Sequence, residues 1–499
     1  MLGTEAALLE AFTQLIQPLN VGLLILGVGL GIVIGIIPGL GAPLGIAIAL
    51  PFTFYLTPIQ AFSLLLGIYS GAIYGGSISA IMLGIPGTPP AAATLMDGYP
   101  MMKAGRGGEA LNLSLVGSVI GGLFSTVCLV LIAPILATFA MKFGPSEYFS
   151  LGVFGIMVVG KVAGDNAFKG FLMGALGIFL TTWGIDPVNA NMRFTFGSVN
   201  LYAGISFIPL LVGLFAIPEM MFKCEDLARR ALLKSALNLK LPGWKTFSGY
   251  KNVLLRSSII GTIIGIIPAE GGAVGAFISY GEAKRISKHP ERFGQGAPEG
   301  VLAPETANNA TIGGALIPTL TLGVPGSAAA AILLGALMIH GYTPGPRLFS
   351  EAPELMYSIF IGLFIINIIM FFLGLGAIRS AAKIIKVPDR IIIPVVLLLC
   401  FLGSYSIKNS LFGVWVMLWA GLFGYLMRKF GFPIIPCVLG FVLGPMIEVN
   451  FRQALTISDG SWLVFINRPI SLIIYGLILL TFLSQPLMDW IKKARQGRP

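Results

Sequence analysis

No lysine or arginine occurs in this chain before Lys103. The stretch ahead of it is a succession of apolar runs broken by glycine and proline, and water cannot be the solvent for most of its surface. The rest of the chain shares the bias: 56% of its 499 residues are hydrophobic and 11% are charged, where soluble domains average roughly 25% charged. The 65 glycines suit helices that pack closely in lipid or break within it. The expected fold is an all-α polytopic membrane protein.

The formal charge of +11 does not point to nucleic acid, because the basic residues sit in short blocks between apolar runs, where they orient a membrane protein. Cys128, Cys224, Cys400 and Cys437 form no CxxC and no local cluster, so they carry neither a disulfide nor a zinc signal. Near the N-terminus stand Glu5 and Glu10 rather than the basic region of a secretory signal, and no cleaved signal is expected.

The chain repeats itself. Gly31-Ile-Val-Ile-Gly-Ile-Ile-Pro38 returns as Gly261-Thr-Ile-Ile-Gly-Ile-Ile-Pro268, 230 residues later. Leu83-Gly-Ile-Pro-Gly-Thr88 returns as Leu322-Gly-Val-Pro-Gly-Ser327 at an offset of 239, each after a Gly-Gly pair. Pro145, Gly160 and Gly170 match Pro388, Gly403 and Gly413 at 243. Ile208-Pro209 with Pro218 resembles Ile435-Pro436 with Pro445. The organisation read from this is an N-terminal amphipathic segment at 1–20, repeat 1 at 21–220, a basic cytoplasmic connector at 221–250 and repeat 2 at 251–447. Residues 448–499 hold a periplasmic loop, a last transmembrane helix and a cytoplasmic basic tail.

Lys and Arg are retained on the cytoplasmic side. Lys103 and Arg106 follow the first repeat's second break, while its counterpart at 343–354 has one Arg and two Glu. Conversely, Lys142 stands opposite Arg379, Lys383, Lys386 and Arg390. Equivalent loops prefer opposite sides, so the repeats are expected to be inverted, with a binding site between them at mid-membrane.

Between Arg256 and Lys284 lie only 27 residues with Pro268 near their middle, too few for two spans of about 20. A re-entrant hairpin turning at Pro268-Ala-Glu-Gly-Gly272 is expected, with Pro38-Gly-Leu-Gly41 as its mirror image. The second break in each repeat is Gly84-Ile-Pro-Gly-Thr-Pro-Pro90 and Gly323-Val-Pro-Gly-Ser327. Proline removes a donor and frees an upstream carbonyl, and glycine permits the dihedrals that follow. In discontinuous helices loose carbonyls suit Na⁺, and the N-terminus of the next half-helix suits a carboxylate. The candidate substrate residues are Ser77, Ser79, Gly87, Thr88, Asn308, Asn309, Thr311, Gly326 and Ser327. The candidate cation ligands are Gly39, Gly41, Gly84, Pro86, Glu270, Gly271, Gly323 and Pro325. Glu270 is the acid at a hairpin tip, where an intramembrane carboxylate reads as ion ligand or proton carrier. Residues 1–102 and 293–346 hold no Lys or Arg. An anion there is expected to rest on helix dipoles, amides and hydroxyls, with a co-bound cation offsetting its charge.

Six motifs in order carry a resemblance over nearly the full chain: Gly35-Ile-Ile-Pro-Gly-Leu-Gly41, Tyr74-Gly-Gly-Ser77 with Leu83–Thr88, Asp97-Gly-Tyr-Pro100, Pro304-Glu-Thr-Ala-Asn-Asn309, Leu322–Ser327 and His340-Gly-Tyr-Thr-Pro-Gly345. The chain resembles the large membrane subunit of the tripartite tricarboxylate transporters, the TctA family. The resemblance implies a bacterial inner-membrane complex with a small membrane subunit of the TctB type and a periplasmic solute-binding protein of the TctC type. It implies uptake of a carboxylate, citrate-like in the founding members, driven by a cation gradient, usually Na⁺. No resident cofactor is expected, and membrane lipid is the remaining partner. Two other classes compete. A channel also uses broken helices, and an intramembrane serine hydrolase would pair Ser77 with His340; the latter is disfavoured because the two residues fall in different repeats and His340 has no evident orienting carboxylate.

Overall fold

The computed structural model describes residues 2–162, 166–225, 249–268, 271–384 and 387–496. Glu270 and the connector residues Arg229, Arg230, Lys234, Lys240 and Lys245 lie outside the described residues. In chain order the first helices are α1 (Leu2–Leu15), α2 (Pro18–Ile36), α3 (Ala42–Ala49), α4 (Pro58–Leu83), α5 (Ala91–Lys103), α6 (Gly107–Ala140), α7 (Pro145–Val162), α8 (Ala167–Thr181) and α9 (Phe207–Glu225). After the connector come α10 (Lys251–Ile266), α11 (Gly271–Ile286), α12 (Pro298–Leu322), α13 (Ala328–Ile339) and the short α14 (Leu348–Glu351). The chain ends with α15 (Pro353–Ile384), α16 (Asp389–Ser406), α17 (Leu411–Lys429), α18 (Ile435–Ile457) and α19 (Pro469–Gln496). Eight helices among the described residues are long and apolar enough to cross a bilayer. The protein is an all-α, multi-pass membrane protein. Its one described β element is a two-residue antiparallel pair, Gly184–Ile185 with Met192–Arg193.

The order α2 to α9 recurs as α10 to α18, with α14 as an extra turn. The agreement extends to single contacts. A side chain at Gly31 would meet the Ile68 carbonyl at 2.5 Å, and one at Gly261 would meet the Ala307 carbonyl at 2.1 Å. Gly35 stands in the same relation to Ala72 at 2.3 Å, and Gly265 to Thr311 at 2.6 Å. The members of each pair are related by the sequence offsets of 230 and 239. These glycines let α2 lie on α4, and α10 on α12, at backbone contact, which is how helices associate where no water drives them together.

The hairpins differ in proportion. α10 and α11 are 16 residues each, meeting near Pro268. α2 has 19 residues and α3 only 8, continued by a 3₁₀ turn over Leu50–Tyr55. The first hairpin therefore has one arm long enough to span, where two short arms are expected from the second.

Two compact units are found. The larger comprises 1–138 and 206–426, the smaller 139–205 and 427–499. In the larger, α4 and α12 are sheathed along nearly their whole length: every α4 residue from Ile59 to Met82 is buried except Gln60 and Ile73, and so is every α12 residue from Gly300 to Thr321. α4 is well started and well stopped. Thr57 and Gln60 form a reciprocal capping box ahead of Pro58, and Gly84 closes the helix in the left-handed region. α12 buries Glu305, Thr306, Asn308, Asn309, Thr311, Thr319 and Thr321, a set too polar to face hydrocarbon. In α1, Ala7, Ala11 and Leu15 face inward at four-residue spacing while Leu8, Leu9 and Phe12 are exposed.

In the smaller unit, Gly177 approaches the Cys437 carbonyl and Gly440 the Gly174 carbonyl, which seats α8 on α18. Arg452 bonds both oxygens of Asp186 at 2.9 and 3.0 Å, and Arg193 pairs with Glu448 at 2.6 Å. These pairs pin the β element.

Candidate functional site

Both breaks are built the same way. Gly84 ends α4 at φ +69°, and Gly323 ends α12 at φ +70°, a conformation that only glycine adopts cheaply. The chain then turns back on its own repeat. Gly87 donates its N–H to the Gly76 carbonyl at 3.1 Å, and Gly326 donates to Thr319 Oγ1 at 3.4 Å. A side chain at Gly87 would meet the Gly35 carbonyl at 2.3 Å, and one at Gly326 the Gly265 carbonyl at 2.5 Å. Each break thus rests on the hairpin of its own repeat. Pro86 and Pro325 lie within these turns.

Across the repeats, Tyr69 Oη on α4 lies 2.9 Å from Ser327 Oγ, which also accepts from the Ala330 N–H and so caps α13. The residue 239 positions after Tyr69 is Asn308, and Asn308 and Pro90 of the first break both lie against Gly272 at the start of α11. Tyr69 thus reaches the second break, and its counterpart Asn308 shares a neighbour, Gly272, with the first.

The buried polar atoms of these helices and breaks are incompletely paired. Both amide atoms of Asn308, Oδ1 of Asn309, and the hydroxyls of Thr88 and Ser70 are buried with no hydrogen-bond partner in the protein. Each such group costs about 1–3 kcal/mol in desolvation, and native interiors rarely leave several together unless something else binds them. These oxygen and amide groups fit a hard monovalent cation and a carboxylate. Ser79 and Thr311 are different: their hydroxyls donate to the Gly76 and Asn308 carbonyls of their own helices, at 3.1 and 2.6 Å.

Of the candidate cation positions, Gly41 is the N-cap of α3, near the Thr88 methyl. Gly271 opens α11 at φ +53°, and Glu270 falls outside the described residues. Gly39, at φ +87°, packs against the Glu219 carboxylate. Beside it the buried Lys223 donates to the Pro38 carbonyl at 2.7 Å and pairs with Asp389 at 3.5 Å. A basic side chain thus reaches the first hairpin tip, which corrects the expectation that an anion near residues 1–102 would meet none. Lys223 is distant in sequence, and only folding brings it to Pro38.

Sequence reasoning passed over Glu305. It is fully buried; Thr94 donates to its Oε1, and Ser118 donates to its Oε2 at 3.2 Å. Ser77 and Ser114 face the same carboxylate. Asn309 Nδ2 donates to Ser118 Oγ at 2.8 Å. The available signal was an acid three and four residues before Asn308 and Asn309, on one face of an apolar-length helix. Asp97, also buried, accepts from the N–H groups of Gly294, Gly296 and Ala297 and from Tyr280 Oη, each at 2.8 Å, and so ties α5 to the loop before α12. Ser77 and His340 share no hydrogen bond; His340 closes α13.

The model of the family described as "Tripartite tricarboxylate transporter TctA family" matches residues 21–439. The chain belongs to the TctA family. It is a component of a tripartite transporter, whose other members are TctB and TctC, and not an enzyme. It is 38% identical over 472 residues, 93% of each chain, to an Agrobacterium vitis protein named "Uncharacterized 52.8 kDa protein in TAR-I ttuC' 3'region". It is also 38% identical over 217 residues, 44% of this chain and 90% of the relative, to "Uncharacterized protein in TAR-II ttuC' 3'region" of the same organism. No solved structure matches this TctA chain.

Proposed function

We propose that this TctA chain is the translocating subunit of a binding-protein-dependent carrier that couples uptake of a tricarboxylate or related organic acid to Na⁺ across the bacterial inner membrane. Its partners are a small TctB-type subunit and a periplasmic TctC-type protein that delivers the substrate. Repeats 21–220 and 251–447 are inverted, and the path runs between their breaks. The observation that carries the reading is the group of buried, unpaired polar atoms at Thr88, Asn308 and Asn309, where the two repeats meet. The carboxylate is received by amides and hydroxyls, with Na⁺ held by oxygen atoms beside it, so that each ligand strengthens the other's binding.

The test is uptake of radiolabelled di- and tricarboxylates into liposomes holding the whole three-component complex, with an imposed Na⁺ gradient. Saturable accumulation that requires both the binding protein and Na⁺ is expected. Conductance that needs neither would establish a channel instead.

A further inference from the structure

Glu305 is a fully buried carboxylate whose described neighbours are alcohols rather than cations. No Lys, Arg or His pairs with it among the described residues. Its surroundings come from four helices: Tyr74 and Ser77 of α4, Thr94 of α5, Ser114 and Ser118 of α6, and Asn309 of its own α12. Tyr74 is the titratable group among them. Asp97 of α5 and Tyr280 of α11 are bonded to each other, and α10 packs on α12 through the uncharged Ser258 and Thr262 side of its surface. A bare carboxylate in such a place is costly, and one positive charge must accompany it or neutralise it.

The space beside Glu305 selects which charge. A side chain at Gly121 would meet the Thr306 carbonyl at 2.0 Å, and one at Gly117 would meet Thr306 Oγ1 at 2.9 Å. α6 therefore lies on α12 at backbone contact one residue from Glu305, and between these two helices a metal ion with its shell of oxygens has no room. A proton needs no room. The hydroxyls of Ser77 and Ser114, buried and without a well-formed bond of their own, offer lone pairs to a carboxyl O–H.

We propose that Glu305 binds and releases one proton in the transport cycle. The carboxylate takes a proton from water on one side of the membrane, forming an O–H bond within the hydroxyl cradle, and returns it to water on the other side. The event is felt at the substrate groups, because Ser118 joins Glu305 to Asn309, whose Oδ1 is one of the unpaired atoms beside Asn308. This proposal rests on the carrier reading for its role in transport, but the proton site itself is testable without it.

The experiment is a pH titration of the purified full-length chain by difference infrared spectroscopy, followed by uptake in the reconstituted complex. The carbonyl stretch of a buried carboxyl is expected to rise and fall with pH and to vanish in Glu305→Gln. Should that variant fail to fold, Ser118→Ala and Thr94→Val remove donors to the carboxylate and are expected to move the midpoint upward by about one pH unit. In the complex, an imposed pH gradient is expected to drive accumulation at least tenfold less in Glu305→Gln, with counterflow still detectable. A band that does not titrate, or one displaced by Na⁺ at constant pH, would overturn the proton site. A titrating band with pH-independent uptake would reduce Glu305 to a static acid and overturn its place in the cycle. Absence of any carboxylate uptake by the wild-type complex with the band intact would count against the carrier reading alone.

Discussion

Thr88 and Asn308 differ from most buried polar residues in this protein because their functional atoms find nothing to bond within it. Removing such a group has opposite effects on stability and on function. Thr88→Val deletes an unpaired hydroxyl and keeps the shape, so the unliganded protein is expected to gain about 1 kcal/mol, within the range for releasing an unsatisfied group. Uptake is expected to fall at least tenfold, with weaker Na⁺ dependence. Thermal unfolding in detergent and initial rates in liposomes check the two signs together; a destabilised variant with normal uptake would remove Thr88 from the site. Ser79 and Thr311, already bonded to their own helices, are expected to show smaller functional effects.

Charge at the residue scale shows best in the smaller unit. The backbone N–H groups of Val188 and Asn189, with Arg452 and Arg193, hold the Asp186 carboxyl down at about 2, below the ordinary ~3.9. Because the folded value is the lower one, the contribution to stability is complete above about pH 4 and is lost as pH falls toward 2. Unfolding temperature is therefore expected to be flat through this group's influence from pH 7 to about 4 and to drop below it. In Asp186→Asn that part of the drop should be missing.

At the scale of elements, the hairpins and breaks are held by glycine at backbone contact. Gly265→Val would drive a side chain into the Thr311 carbonyl, 2.6 Å from its first carbon. Neither helix backbone can yield locally, so a loss of about 1–3 kcal/mol is expected from overpacking alone. Gly376 on α15 has open space around it, and Gly376→Ala is expected to stabilise by up to about 1 kcal/mol through helix propensity. Thermal denaturation of both variants separates packing glycines from incidental ones.

On the scale of the whole molecule, the same run of helices occurs twice, and the proposed inversion of the second copy makes a geometric prediction. Single cysteines at the exposed positions Lys103 and Arg347, in a background lacking the four native cysteines, are expected to react with an impermeant maleimide from opposite faces. Reaction from one face would refute inversion while leaving the repeat itself intact.

Much of this architecture was legible in the chain. Offsets of 230 and 239 located both hairpins and both breaks, because glycine and proline act through the local backbone and leave a local signature. Asn308, Asn309 and Thr88 could be named as candidates for the same reason, as polar residues beside a break. What only the tertiary structure decided is which side chains are left unpaired and which distant ones arrive. Lys223 reaches Pro38 across 185 residues, and Thr94 and Ser118 converge on Glu305 from helices that no periodicity links to it. Hydrogen bonding and burial are properties of pairs, and the pairing of residues far apart in sequence is fixed by helix packing. The absence of Lys and Arg before Lys103 committed this chain to the bilayer; the packing of α4 against α12 determined what its interior can hold.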